Sequence, residues 1–393
     1  MDKLQLKSKF EEMFGAGGNI RFFASPGRVN MIGEHTDYNG GYVFPAALSM
    51  RTMIAFRVRE DNIIRMAATD LDVLVEADIN KLDDYKDLKW GNYQLGIADV
   101  MKKEGYYIGG CDMLFDDTTP HGGGLSSSAA IEVATAIAFA TISNEKKGIS
   151  DPVDNIEMAK ISQKAEHEYI GVKCGIMDQF ASAMGKKDHA IFLNCATLDY
   201  KLVPLNIKGC KLVIANTNKK RSLADSKYNE RRSECETAVE ILKGYLPGIT
   251  CLADVSVADF EKYEEKIENE TVRKRAAHVV YEIDRVVKSV EALEKDDITY
   301  FGKLMNASHD SLRDLYEVTG IELDTLVEEA RKIDGTIGSR MTGAGFGGCT
   351  VSIVKDEFVD EFKEKVGSAY TAKIGYAPSF YISEIGDGGR EIK

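Results

Sequence analysis

The run Pro120-His121-Gly122-Gly123-Gly124-Leu125-Ser126-Ser127-Ser128-Ala129-Ala130 places three glycines and three serines directly before an apolar stretch. Glycines without Cβ atoms let the backbone bend tightly and turn its N–H groups toward an anion. The serines add hydroxyl donors and a possible ligand for a hard metal ion. A helix starting here would aim its positive end at the same point, which suits a phosphate. The run lacks the lysine of G-x-x-x-x-G-K-[ST] and is not a G-x-G-x-x-G turn, so neither of those nucleotide-binding architectures is indicated. A plain glycine-rich turn with serine caps would look the same in isolation.

A second concentration of chemistry lies at Gly33-Glu34-His35-Thr36-Asp37-Tyr38-Asn39-Gly40-Gly41. Glu34, His35 and Asp37 crowd donors and acceptors between glycines, a density suited to a ligand with several hydroxyls. Composition alone fits a solvated turn equally well.

Both segments need elements to hold them. Ile20 to Ala24 reads as a strand stopped by Ser25-Pro26-Gly27, and Thr52, Ile54, Phe56 and Val58 alternate with arginines at period two. Asn62 to Ala68, Asp72 to Ala77 and Cys111 to Phe115 add further strands, the last leading into the glycine-serine run. From Ser127 to Ile142 Glu132 is the only charge, the pattern of a helix buried on most faces. A helix over 154–170 follows, with Asp151-Pro152 as its start, then strands at His189 to Asn194 and Lys211 to Ala215. Beyond about residue 220 charged helices at 222–243, 271–294 and 322–333 precede a strand at Thr350 to Val354. These patterns give mixed sheet and helix in two halves, divided near 190–205 and written as domains 1–195 and 196–393.

The length of 393 residues supports two domains. With 44% hydrophobic and 29% charged residues, the chain has the make-up of an ordinary globular protein. A formal charge of −13 and the lack of a long basic run argue against nucleic acid as a partner. Seven widely spaced cysteines without a C-x-x-C pair suggest reduced thiols. No apolar run reaches membrane-spanning length and the first residues lack a signal-peptide core, so a cytoplasmic protein without a membrane partner is expected.

Three blocks together resemble one family. They are Pro26-Gly27-Arg28-Val29-Asn30-Met31-Ile32-Gly33-Glu34-His35-Thr36-Asp37-Tyr38-Asn39-Gly40-Gly41, the glycine-serine run, and Met341-Thr342-Gly343-Ala344-Gly345-Phe346-Gly347-Gly348. In this order they look like the motifs of a galactokinase of the GHMP kinase superfamily, the first block being specific to galactokinases and the others more widely shared. Cys174-Gly175-Ile176-Met177-Asp178-Gln179-Phe180 resembles the segment that carries the family's catalytic aspartate. His121 stands where many relatives carry another residue.

The resemblance implies an α+β fold: a two-domain GHMP kinase fold with an N-terminal ribosomal-S5-like domain, a C-terminal ferredoxin-like domain, and an active site in the cleft between. It implies ATP-dependent phosphorylation of galactose at the C1 hydroxyl, with galactose and MgATP as ligands, and a monomer. Asp178 would be the base and Arg28 its charged partner; an arbitrary Asp–Arg pair would be only a surface ion pair. Glu34, His35, Asp37, Gly175 and Tyr228 would contact the sugar, although Tyr228 could equally be a core aromatic. Gly122, Gly123, Gly124, Leu125, Ser126, Ser127, Ser128 and Ala129 would hold ATP. Ser128 and Glu166 would hold Mg²⁺; otherwise they read as a helix cap and a solvent-facing helix residue. Gly343, Gly345, Gly347 and Gly348 imply close backbone approach, to phosphates or to the facing loop. Cys174 reads as a small buried residue. A kinase for N-acetylgalactosamine or another aldose shares the signature. A non-catalytic galactose sensor shares the scaffold but lacks part of the Ser/Ala stretch that is complete here.

Overall fold

The computed structural model describes residues 1–120, 123–219 and 224–393, without the side chains of 224–226. Its first sheet has six strands in the order Arg390–Glu391, Arg21–Asn30, Pro45–Val58, Cys111–Asp117, Ile63–Ala68 and Leu71–Asp78. All neighbours are antiparallel except Ile63–Ala68 and Cys111–Asp117. Period-two alternation sends Phe23, Ile54 and Phe56 to one face, where they pack with the helix Ser127–Lys147. Phe22, Met53 and Ala55 go to the other face, beneath the N-terminal helix Lys3–Phe14 and its Leu6, Phe10 and Phe14.

The second sheet orders Thr336–Thr342, Cys349–Lys355, Cys210–Asn216 and Ser379–Ser383, all antiparallel. Leu212 and Ile214 face the helices Glu270–Glu294 and Ile298–Ser311, whereas Val213 and Ala215 face Ile321–Ala330 and Val359–Ile374. A small third sheet joins Tyr42–Val43, His189–Asn194 and Tyr200–Pro204.

The first strand does not stop at Ser25-Pro26-Gly27; it continues to Asn30 through an irregularity in register between Pro26 and Arg28. That irregularity accommodates a proline without an N–H. At Gly27 a Cβ would lie 2.5 Å from the Leu125 carbonyl oxygen, so a bare backbone is what lets the glycine-serine run dock on the strand. The expected helix over 154–170 is α-helical only from Asn155 to Ala165, is capped by Asp154 rather than started by Asp151-Pro152, and finishes in a π turn, Glu166–Ile170. Helices Asn92–Lys103, Met177–Met184, Ile298–Ser311 and Val359–Ile374 are elements that periodicity did not bring out.

Candidate active site

Arg28, at the end of the irregular strand, reaches Asp178 on the first turn of the helix Met177–Met184. Its Nε and Nη2 lie 2.9 and 2.8 Å from Asp178 Oδ1. The second carboxylate oxygen accepts from Ser126 Oγ at 2.6 Å. Arg28 Nη1 donates to the Gly124 carbonyl at 2.7 Å, and the Arg28 N–H to the Leu125 carbonyl at 3.0 Å. The guanidinium is buried while the carboxylate is about one-third exposed, so the pair is fixed on one side and open on the other. A charge-assisted pair held this way has far less freedom than a surface ion pair.

The glycine-serine run is built into this arrangement. Ser126 has a left-handed backbone (φ 60) and precedes the helix Ser127–Lys147, whose N-terminus faces the loop. Ser127 donates to Asp117 at the end of the preceding strand. The Leu125 side chain is buried in the core, so only its backbone is available to a ligand. Ala129 is buried as well. The Ser128 side chain has no hydrogen-bond partner among the described residues. Gly122 and His121 lie outside the described residues; Gly123 and Gly124 lie inside them. Gly343 (φ 88) faces this run: a Cβ there would stand 3.0 Å from the Gly124 carbonyl. The close approach expected of the third glycine block is realised against the facing loop at Gly343, whereas a Cβ on Gly345 would stand 2.3 Å from the Val318 carbonyl oxygen and one on Gly347 3.2 Å from Lys219 Cβ.

Arg28 and Asp178 border a cavity of about 180 Å³ lined also by Glu34, His35, Asp37, Cys174, Gly175, Tyr228 and Gly343. A broader groove of about 870 Å³ near His189, Lys208 and Glu294 contains none of these groups. Cys174 is half-buried and lines the cavity, rather than the buried residue that sequence suggests. Tyr228 packs edge-on to Tyr38 with centroids 5.2 Å apart while keeping a face on the cavity.

The carboxylates of this cavity differ in their partners. Glu34 accepts from Asn30 Nδ2 (2.9 Å), the Gly343 N–H (2.7 Å) and Arg340 Nη1 (3.3 Å). Its burial raises its pKa, which these partners oppose. Arg340 is fully buried and also donates to the Asn30 carbonyl, tying the strand Thr336–Thr342 to the sugar-loop candidate. Asp37 is pushed up to about 7, chiefly by desolvation and then by the charge of Asp178. Desolvation holds His35 neutral, with a pKa lowered to about 3.

Glu166 is buried, not solvent-facing, and burial raises it to about 7. Gln179 Nε2 bridges it (3.1 Å) to Glu132 Oε2 (3.3 Å). Glu132, wholly buried, sits one turn beyond Ser128 on the same helix face and retains an unpartnered Oε1. Sequence reasoning assigned no role to Glu132 or Arg340. The first did leave a signal, as the lone charge in a buried helix; the second left none. Among the described residues no three metal-ligating side chains cluster. Ser128 one turn before Glu132, whose one oxygen is unpartnered, and Glu166 linked to Glu132 through Gln179 nevertheless supply the ligand types of a hard cation that keeps other ligands from phosphate and water.

The match to known proteins follows the same geometry. Residues 8–58 match the galactokinase galactose-binding signature, 92–186 the GHMP kinase N-terminal domain and 289–372 the GHMP kinase C-terminal domain. The two-domain α+β fold and its site define a GHMP kinase. A mevalonate kinase from Methanococcus jannaschii shares that fold at TM-score 0.66 and 19% identity, covering 95% of this chain and 100% of that one. Closer likeness narrows the class. The chain is 51% identical to a galactokinase of Fusobacterium nucleatum over 98% of both chains, and 48% identical to that of Bacillus subtilis over 99% of both. The Lactococcus lactis galactokinase, whose crystal structure is complexed with galactose, superposes at TM-score 0.94 with 41% identity over 99% of both chains. This chain belongs to the galactokinase family, and membership implies ATP as phosphoryl donor. Among the described residues no helix is long and apolar enough to cross a membrane.

Proposed function

We propose that the protein transfers the γ-phosphoryl group of ATP to the C1 hydroxyl of galactose, giving galactose 1-phosphate and ADP. One observation carries the reading: Asp178, clamped by Arg28 and Ser126, lies between a cavity lined by Glu34, His35 and Asp37 and the glycine-serine run.

In this reading Asp178 accepts the C1 hydroxyl proton as the C1 oxygen bonds to the γ-phosphorus and the bond from phosphorus to the β,γ-bridging oxygen breaks, releasing ADP. A carboxylate is a weak base toward an alcohol, so the proton moves late, after most of the new P–O bond has formed. Arg28 faces the charge that builds on the transferring group. Glu34, His35, Asp37 and Tyr228 hold the sugar, with Gly175 keeping backbone close. Backbone N–H groups from 122–129 and the helix N-terminus cradle the phosphates. Ser128 and Glu166 would hold Mg²⁺, with Glu132 behind them; when bound, the ion neutralises phosphate charge. Residues 1–195 and 196–393 are the two domains of this scheme, and the protein works as a cytoplasmic monomer.

The test is ADP release with MgATP and a panel of galactose, N-acetylgalactosamine, glucose, arabinose and mevalonate. Turnover with galactose and strong discrimination against its C4 epimer glucose are expected, because a wrong epimer leaves buried polar groups unpaired. Turnover confined to another sugar would replace the substrate. Galactose binding without turnover would point to a sensor.

A further inference from the structure

His35 is a cavity-lining candidate whose ring nitrogens can each be donor or acceptor, and its surroundings determine which. Its backbone is left-handed (φ 63) and its carbonyl accepts from Asn39 Nδ2 at 2.9 Å, which fixes the residue's stem. Its Nε2 is buried and has no partner of good hydrogen-bond geometry, on a ring that lines the cavity beside the Ala344 backbone. Its Nδ1 faces away into the protein, 2.9 Å from the Tyr38 hydroxyl. Tyr38 meets the Tyr316 hydroxyl at 2.7 Å, and Tyr316 meets Cys235 Sγ at 3.2 Å. Tyr316 and Cys235 are wholly buried, so water does not replace any member of this chain at its inner end.

The direction of the chain follows from acceptor strength. Each hydroxyl has one proton, and an imidazole nitrogen accepts better than a phenol oxygen, which in turn accepts better than a thiol sulfur. Both directions satisfy every group; the one that ends on the strongest acceptor has Tyr38 donating to Nδ1, Tyr316 donating to Tyr38, and the Cys235 thiol donating to Tyr316. With Nδ1 accepting, a neutral ring must have its proton on Nε2.

We propose that Cys235, Tyr316 and Tyr38 form a one-way hydrogen-bond chain that fixes His35 as the Nε2–H tautomer, so that it presents a permanent donor to one hydroxyl oxygen of the sugar. Glu34 and Asp37 accept when ionised, so a hydroxyl that accepts from His35 can place its own proton on a neighbouring carboxylate. Tyr38 and Tyr316 are thus positioning residues for sugar recognition, and the affinity part of this inference rests on the sugar-kinase reading. Tyr316 is itself held in place, since Arg231 Nε donates to its carbonyl at 2.8 Å and the His278 ring lies 4.6 Å from its own.

The test is nitrogen-15 NMR of the full-length protein with labelled histidine, without ligand, together with KM for galactose. Six imidazoles are present, and His35 is assigned by its loss in His35→Gln. Wild-type His35 should show a protonated Nε2 and an unprotonated, hydrogen-bonded Nδ1. Tyr38→Phe removes the donor, so His35 should populate both tautomers and KM for galactose should rise about five- to tenfold, the loss expected of one buried hydrogen bond. Tyr316→Phe keeps the packing and should shift the Nδ1 signal less, because Tyr38 loses only the donor that polarises it. A wild-type proton on Nδ1, or imidazole signals unchanged in both variants whatever happens to KM, would overturn the proposal. A tautomer change with constant KM would overturn its role in sugar recognition. Absence of galactose turnover beside the expected spectra would instead remove the substrate reading and leave the chain standing.

Discussion

Asp37 occupies the space that a side chain on Gly175 would need: a Cβ there would lie 1.8 Å from Asp37 Oδ2. The cavity thus depends on a glycine that touches no ligand through a side chain. Gly175→Ala should displace the Asp37 carboxylate and raise KM for galactose about tenfold or more, on the order of the loss of a charge-assisted hydrogen bond. Circular dichroism should show an intact fold, since the segment borders an open cavity. Unchanged KM would show that Asp37 does not contact the sugar.

The Asp37 carboxyl, raised to about 7, sets a pH dependence with opposite signs for binding and stability. Ionised Asp37 is the better acceptor, so KM for galactose should fall as pH rises through about 7. In the free protein the folded state holds this proton more tightly than the unfolded chain does. Its contribution to stability is therefore full below the ordinary carboxylate range and is lost as pH rises through about 7. Asp37→Asn should flatten the KM profile and make the stability profile less steep, Glu166, also raised to about 7, keeping the rest of its slope; initial rates and urea denaturation from about pH 5 to 8 measure both.

Arg340 and Glu34 are both buried and lie 3.3 Å apart, with Glu282 as a second carboxylate 3.9 Å from Arg340. Arg340→Met leaves Glu34 with two donors and no countercharge at this position. Removing one partner of a buried pair costs about 3–5 kcal/mol, so the denaturation midpoint should fall markedly. Glu34→Gln, which keeps the oxygen facing Gly343, should cost less.

Ser128, Glu166 and Glu132 predict how the protein meets magnesium. Ser128→Ala and Glu166→Gln should raise the Mg²⁺ concentration for half-maximal rate, about tenfold or more as metal-site mutations commonly do, while leaving galactose binding in place. Chelation should abolish turnover and added Mg²⁺ should restore it. Equal metal dependence in wild type and both variants would remove these residues from the site.

The parts of the site legible in the sequence were those confined to short runs. The stretch 33–41 and the glycine-serine run declare themselves because turn geometry and dense polarity are local properties, whereas Arg28 and Asp178 are singled out only because their segments resemble those of the family. Arg340, Asp117 and the Tyr38–Tyr316–Cys235 chain do not, because each works through a partner distant in sequence, and nothing in an isolated strand or helix says which neighbour folding will supply. Asp117 meets Ser127 only because the strand ending there feeds the loop, and Cys235 on the helix Ala224–Leu242 meets Tyr316 in the π turn Leu312–Tyr316 only through the fold of the second half. The strand through Pro26 was missed for a related reason: local rules end a strand at Pro-Gly, while the register with Pro45–Val58 resumes at Arg28.

The most direct test of the whole account is Asp178→Asn, assayed for galactose-dependent ADP release and, separately, for galactose binding by calorimetry. Loss of a positioned base should lower kcat about 10²- to 10⁴-fold with the sugar still bound. Turnover close to wild type would contradict the assignment of Asp178 as the base, and with it the mechanism built on the Arg28–Asp178–Ser126 clamp.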